Sequence, residues 1–87
     1  MNEATVAEAI AGELARHGYG IGPDEYGTDL IGAGVNSVDL VRLLSGLEER
    51  YDVEFDGAAV FAGPVTVARL TEVIVAEAAR DARNTEG

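Results

Sequence analysis

The chain has 87 residues, a formal net charge of -10 and a pI near 4.2, and 47% of its residues are apolar. We expect one domain over residues 1–87 with a single modest core, since this apolar content argues against disorder. The chain has no cysteine, which excludes a disulfide, a thiolate zinc site and a thiol nucleophile. All six basic residues are arginines spread singly along the chain, which disfavours nucleic-acid binding.

The N-terminal residues include Glu3 and Glu8 and lack the basic region of a signal peptide. No apolar run approaches the length that spans a membrane. We therefore expect a cytoplasmic protein that does not enter a membrane. Its acidic surface favours basic protein partners.

The first predicted helix begins at Asn2 or Thr5, and Thr5 with Glu8 has the spacing of a capping box. Apolar residues then recur at every fourth position, which predicts a helix face turned to a core. They are Val6, Ile10 and Leu14.

The single histidine, His17, falls on the same apolar stripe, just before Gly18. We expect Gly18 to end the helix with a positive φ. A histidine in a last helical turn is typical of packing or of a favourable interaction with the helix dipole. We therefore interpret His17 as structural rather than as a general base.

Residues 18–35 lose the helical periodicity and are interrupted by glycines and by Pro23, which predicts a long loop. These glycines form neither a dinucleotide fingerprint nor a phosphate-binding loop, and the chain has no lysine. Five apolar residues are expected to anchor the loop on the helices: Tyr19, Ile21, Tyr26, Leu30 and Ile31.

A second, amphipathic helix is predicted to run from Ser37 to about Tyr51. Its inner face is formed by Leu40, Leu43, Leu44, Leu47 and Tyr51. Its outer face carries Val38, Arg42, Ser45, Gly46 and Glu49, with Asp39 and Glu48 at the flanks. Val38 is apolar on the face that should meet solvent, so it is either an ordinary exposed valine or a contact for a partner.

Residues 52–57 resemble the first half of an EF-hand calcium loop. The twelfth position of such a loop needs a bidentate glutamate, and Gly63 stands there. We interpret the segment as an acidic turn whose Val53 and Phe55 point inward, and predict no metal site. Weak association of a divalent ion with this acidic end stays open.

Residues 58–61 predict a short helix or turn, cut off by Gly63 and Pro64. Thr66 is expected to cap a last helix with Arg80 and Arg83 near its C-terminal end, and residues 84–87 are expected to fray. The inner stripe of this helix is formed by Val67, Leu70, Ile74 and Ala78. The sequence therefore predicts an all-α fold, a small bundle of three major helices with a long loop between the first two and a short helix or turn before the last.

Ser37 stands where the glycine-bearing loop meets the second helix, and there a serine can act as the N-cap. A phosphodiester on its hydroxyl would lie at the positive end of the helix dipole, next to unpaired N–H groups. Nucleophilic catalysis would need a nearby base and an orienting group, and no Gly-x-Ser-x-Gly motif surrounds this serine. We interpret Ser37 as a substrate of another enzyme.

Residues 36–40, with the sequence Asn-Ser-Val-Asp-Leu, resemble the Asp-Ser-Leu signature of the acyl carrier protein family of phosphopantetheine-binding carrier proteins. The resemblance covers roughly residues 6–79, with support from the acidic helix end 47–52 and from residues 66–70. It implies that Ser37 bears a covalent 4′-phosphopantetheine arm, which a phosphopantetheinyl transferase takes from coenzyme A. It also implies a non-catalytic shuttle that holds acyl groups as thioesters.

The same resemblance implies a set of partner enzymes, which would dock on the acidic second helix through basic patches. These would be an acyltransferase or acyl-activating enzyme, a ketosynthase and other enzymes of the pathway. We expect the carrier itself to be a monomer. The candidate docking residues are Asn36, Val38, Asp39, Arg42, Glu48 and Glu49.

The segment also departs from the family pattern: Asn36 replaces the usual aspartate, Val38 the usual leucine, and Arg42 stands where fatty-acid carriers commonly have an acid. Together with the arginine-only, alanine- and glycine-rich composition, this favours a discrete carrier of a polyketide or related pathway. Two alternatives stay open. One is an aminoacyl or peptidyl carrier of nonribosomal peptide synthesis, and the other is an acidic helical interaction module without a covalent arm.

Overall fold

A computed structural model describes the backbone of residues 2–86 and the side chains of residues 2–80. The described residues form four α-helices and no strand. These elements are α1 (Glu3–Arg16), a 3₁₀ turn (Pro23–Glu25), α2 (Ser37–Tyr51), α3 (Gly57–Phe61) and α4 (Val67–Glu86). The predicted all-α fold with three major helices is confirmed, and the segment predicted as a short helix or turn is the short helix α3.

The core lies where α1 packs against both α4 and α2. The predicted inner stripes are buried, apart from Tyr51 and Ala78, which are half-buried, and His17, which is exposed. The buried apolar residues of the three major helices are Val6, Ala7, Ile10, Leu14, Leu40, Leu43, Leu44, Leu47, Val67, Leu70 and Ile74. In the described part of the chain, no helix is both long and apolar enough to cross a membrane.

The N-cap of α1 is Asn2, whose Oδ1 accepts hydrogen bonds from the N–H groups of Ala4 at 2.7 Å and Thr5 at 3.3 Å. Thr5 already lies inside α1. The capping box predicted for Thr5 and Glu8 is therefore wrong.

The C-terminal end of α1 is a Schellman motif. Gly18 has a φ of 90°, its N–H donates to Ala15 O at 3.0 Å, and Tyr19 N–H donates to Leu14 O at 2.9 Å. The predicted positive φ at Gly18 is confirmed. His17 is exposed, so its predicted place on the buried stripe is wrong, because α1 ends at Arg16 and the chain leaves the helical path there.

The loop between α1 and α2 is held against the start of α4 by two backbone hydrogen bonds. Leu30 N–H donates to Val65 O at 2.8 Å, and Ala68 N–H donates to Tyr26 O at 2.9 Å. Leu30 is buried, and three of the other predicted anchors are half-buried: Tyr19, Ile21 and Tyr26. These bonds and contacts explain why a loop this long keeps a defined path.

Ile31 is 46% exposed, so its predicted role as an anchor is wrong. Val35 N–H donates to Leu30 O at 2.9 Å, which closes a turn with Leu30 and Val35 buried at its two ends. The residues between them, including Ile31, lie on the outside of this turn.

The turn after α2 places Val53 in the core and leaves Phe55 half-buried, as predicted. Asp52 adopts a left-handed conformation with a φ of 52° and ends the helix. Asp56 then caps the short helix α3, because its Oδ1 accepts from Ala58 N–H at 3.1 Å.

The predicted cap of the last helix is confirmed, since Thr66 Oγ1 accepts from Arg69 N–H at 3.0 Å. Arg80 pairs with Glu77 at 3.0 Å near the C-terminal end of α4. The side chain of Arg83 and all of Gly87 lie outside the described residues, and fraying of residues 84–87 stays a prediction.

Candidate functional site

The candidate site is the start of α2, where Ser37 is the first helical residue and is exposed. The N-cap is Asn36, which has an extended backbone and whose Oδ1 accepts from Val38 N–H at 2.7 Å. The prediction that Ser37 acts as the N-cap is therefore wrong. Because Asn36 makes the cap, the hydroxyl of Ser37 is not needed for it.

The segment that precedes Ser37 in the chain is anchored in the core. Val35 is 4% exposed and lies two residues before Ser37. Gly34 has a φ of 100°, a conformation that favours glycine, and its N–H donates to Ile31 O at 3.1 Å. The buried Val35 and the turn at Gly34 therefore fix the backbone that leads to the exposed Ser37.

A second support comes from the loop after α1, through the hydroxyl of Tyr19. This hydroxyl accepts from Asn36 N–H at 3.2 Å and donates to Asp39 Oδ2 at 2.7 Å. Asp39 was predicted to dock partners. It is half-buried, and its carboxylate bonds to Tyr19 within the molecule instead of pointing freely into solvent. Sequence reasoning missed the contact, although the spacing of Asn36 and Asp39 is that of a capping box.

The geometry at Ser37 suits a covalently attached anion. The first N–H groups of an α-helix have no partner within the helix, and the N-terminus carries a partial positive charge. In α2, Val38 N–H is already bonded to Asn36 Oδ1, so a phosphodiester on the exposed Ser37 hydroxyl would lie beside the N–H groups of Ser37 and Asp39. The first turn of α2 therefore fits the phosphate end of a phosphopantetheine arm.

The outer face of α2 carries two exposed valines, Val38 at 58% and Val41 at 54% exposure. Val38 was expected on this face, whereas Val41 was overlooked. Val41 directly follows the buried Leu40, so the apolar pair does not show which way Val41 points. Its spacing from Val38 does, because residues three apart on a helix are neighbours on the same face. Arg42 and Ser45 are exposed beside them. The two valines form the apolar patch of α2.

The two neighbouring glutamates near the end of α2 differ in their surroundings. Glu48 is half-buried, and its Oε2 accepts from Phe55 N–H at 2.9 Å, whereas Glu49 is exposed. Glu48 therefore holds the turn that follows the helix, and Glu49 faces solvent.

The predicted site residues fall into two groups along α2. Asn36, Ser37, Val38 and Asp39 meet in the first turn, with Arg42 one turn further along. The glutamates lie near the other end of the helix, about 16–18 Å along the axis from Ser37. Only the residues of the first turn lie close enough together to contact one phosphate on Ser37.

The chain matches the family model described as the phosphopantetheine attachment site over residues 4–74. This span runs from the first turn of α1 into α4 and contains the start of α2. Neither a curated protein nor a solved structure matches the chain.

Proposed function

The chain belongs to the phosphopantetheine attachment site family, so it is a carrier protein whose cofactor is 4′-phosphopantetheine, and we propose that Ser37 is the attachment residue. The chain has two serines, Ser37 and Ser45. Ser45 lies in the interior of α2, whose backbone N–H groups are used within the helix. Ser37 is exposed at the helix N-terminus, and this observation carries the proposal.

In the attachment reaction, Ser37 is the acceptor. A bond forms between Ser37 Oγ and the phosphorus nearer the pantetheine part of coenzyme A, while the phosphoanhydride bond breaks. The nucleoside bisphosphate leaves with the bonding electron pair, and the hydroxyl proton passes to a base of the phosphopantetheinyl transferase. The N–H groups of Ser37 and Asp39 and the positive end of the α2 dipole would then stabilise the phosphodiester on the serine.

The attached arm supplies a thiol that carries acyl groups as thioesters. The residues of the chain serve to hold the attachment point outward and to present α2 to the enzymes that load and use the arm. Asp39, the carboxylate in the first turn, bonds to Tyr19 and not to the Ser37 hydroxyl. This arrangement supports a non-catalytic role, in which Ser37 is modified by another enzyme.

Within the carrier family, we propose a discrete acyl carrier of a polyketide or related biosynthetic pathway. Arg42, exposed one turn from the attachment site, supports partners other than those of ordinary fatty-acid synthesis. The partners would be an acyltransferase or acyl-activating enzyme and a ketosynthase. Loading of the purified, modified protein by acyltransferases but not by adenylation enzymes would support this assignment, and the reverse would indicate an aminoacyl or peptidyl carrier.

Co-expression with a promiscuous phosphopantetheinyl transferase, followed by intact mass measurement, tests the attachment site. The wild type and Ser45→Ala are expected to gain the mass of one phosphopantetheinyl group, whereas Ser37→Ala gains none. Ser45→Ala is the matched control because it removes the other serine hydroxyl from the same helix. A modified Ser37→Ala, or an unmodified wild type, would overturn the proposal.

A further inference from the structure

The start of α2 resembles a capping box in which Tyr19 is inserted between the two usual partners, Asn36 and Asp39. In an ordinary capping box, the acid at the third helical position bonds directly to the N–H of the N-cap residue. Here the third helical residue is Asp39, whose side chain is one methylene shorter than glutamate. The Tyr19 hydroxyl stands between the two groups, accepting from Asn36 N–H at 3.2 Å and donating to Asp39 Oδ2 at 2.7 Å.

Tyr19 is itself held in place by the end of α1. Its N–H donates to Leu14 O at 2.9 Å as part of the Schellman motif, and its half-buried ring packs against the core. The position of the hydroxyl is therefore determined by α1 and the core. Through this one oxygen, the end of α1 is tied to the residues on both sides of Ser37.

Loss of the hydroxyl would remove two constraints on the first turn of α2. Asn36 N–H would lose its acceptor, and the Asp39 carboxylate would lose its donor. The cap formed by Asn36 Oδ1 on Val38 N–H would remain, so α2 would still form but its first turn would open more often. Ser37 lies within that turn and would share its motion.

We propose that Tyr19 is a positioning residue for the modification of Ser37, a role that rests on the proposed attachment function. Its hydroxyl keeps the first turn of α2 closed and so presents Ser37 in the one geometry that the transferase can use. When only a fraction of the molecules is in the competent geometry, the apparent affinity falls by that fraction while the chemistry of the competent state is unchanged. The expected signature is therefore a change in KM rather than in kcat.

The test measures transferase kinetics with coenzyme A and the full unmodified chain as substrates. Tyr19→Phe is expected to raise the KM for the carrier roughly three- to tenfold and to leave kcat within about twofold. Tyr26→Phe is the matched control, since Tyr26 is also a half-buried loop tyrosine and contributes its backbone carbonyl to the loop contact with α4. A KM for Tyr19→Phe equal to that of Tyr26→Phe would overturn the proposal.

Variants of Asp39 separate the hydrogen bond from the charge. Asp39→Asn keeps an oxygen that can accept from the Tyr19 hydroxyl and should raise the KM less than Asp39→Ala does. Asp39→Ala should raise the KM by no more than Tyr19→Phe, because the Asn36 N–H keeps the hydroxyl as its acceptor. The double variant Tyr19→Phe/Asp39→Ala should be no worse than Tyr19→Phe alone, because loss of the hydroxyl already removes its bond to Asp39. If Asp39→Asn were as impaired as Asp39→Ala, the charge and not the bond to Tyr19 would matter, and the proposal would fail.

Hydrogen exchange of the Asn36 amide gives a readout that does not depend on the transferase. Tyr19→Phe should accelerate exchange at Asn36, whereas amides in the middle of α2 should keep their protection. Unchanged exchange at Asn36 would contradict the positioning role even if kinetics changed. An unmodified wild type would overturn the attachment site itself, whereas a modified wild type with an unaffected Tyr19→Phe would overturn this inference alone.

Discussion

Glu48 Oε2 accepts a hydrogen bond at 2.9 Å from the backbone N–H of Phe55. This bond joins the last turns of α2 to the segment that leads into α3. The next residue after Glu48, Glu49, is exposed. Two adjacent glutamates with the same charge therefore have different physical roles: half-buried Glu48 holds the following turn, and Glu49 faces solvent.

The first prediction concerns the stability contributed by these two glutamates. Glu48→Ala should lower the free energy of unfolding by about 1 kcal/mol, since Phe55 N–H loses a charged acceptor in a partly exposed place. Glu49→Ala should change it by less than about 0.5 kcal/mol. Urea denaturation measures both, and equal losses would contradict the structural role of Glu48.

The second prediction concerns electrostatic docking through Glu49. Glu49→Lys should slow association with a partner enzyme that carries a basic patch, and should weaken the dependence of the rate on salt. Glu8→Lys is the control, because Glu8 is exposed on α1 and the substitution changes the net charge equally. Stopped-flow association at several salt concentrations measures the rates. Equal slowing by both variants would show that overall charge, and not the α2 surface, steers the encounter.

The third prediction concerns the apolar patch of α2. Val41→Ala should weaken partner binding roughly fivefold, because about 1 kcal/mol of apolar burial is lost at the interface. The protein itself should be as stable as the wild type, since Val41 is 54% exposed and alanine favours a helix. The adjacent Leu40→Ala, at a fully buried position, should instead cost about 2–5 kcal/mol of folding stability. Calorimetry of binding and urea denaturation separate the two effects.

The fourth prediction concerns the N-cap in front of the attachment site. Asn36→Ala should lower the free energy of unfolding by about 1 kcal/mol, because Val38 N–H loses its acceptor. Asn36→Asp keeps an acceptor oxygen and should stay within about 0.5 kcal/mol of the wild type. Thermal or urea unfolding checks both, and a loss of similar size in Asn36→Asp would argue against the cap.

The fifth prediction concerns Arg69, whose guanidinium donates to Pro64 O and, at 3.4 Å, to Ala59 O. These bonds tie α3 and the following loop to α4. Arg69→Met should lower stability by about 1–2 kcal/mol and speed hydrogen exchange in α3. Arg80→Met is the control, since the exposed pair of Arg80 with Glu77 should contribute less than about 0.5 kcal/mol. Unchanged exchange in α3 on replacing Arg69 would contradict this role.

Much of the fold was predictable because helical periodicity and caps are local signals. The stripes of α1, α2 and α4 are visible as apolar residues three and four apart. The cap Thr66 was predictable because it stands directly before the first residue of α4. Local signals fail at helix ends. Two residues there, Asn36 and Ser37, are equally good caps by type, and the backbone path decides between them. His17 was misplaced for the same reason, since the periodicity does not say where a helix stops.

An acidic, all-helical protein with an exposed serine where a glycine-bearing loop meets a helix can be inferred from the amino-acid sequence alone, because these features depend on residues close together in the chain. The packing of distant segments determines which polar groups hold that serine in place and which remain available to partners. Tyr19 reaches Asn36 and Asp39, and Glu48 reaches Phe55, only after the helices have packed. Such bonds depend on the relative positions of distant segments, and no short stretch of sequence encodes those positions.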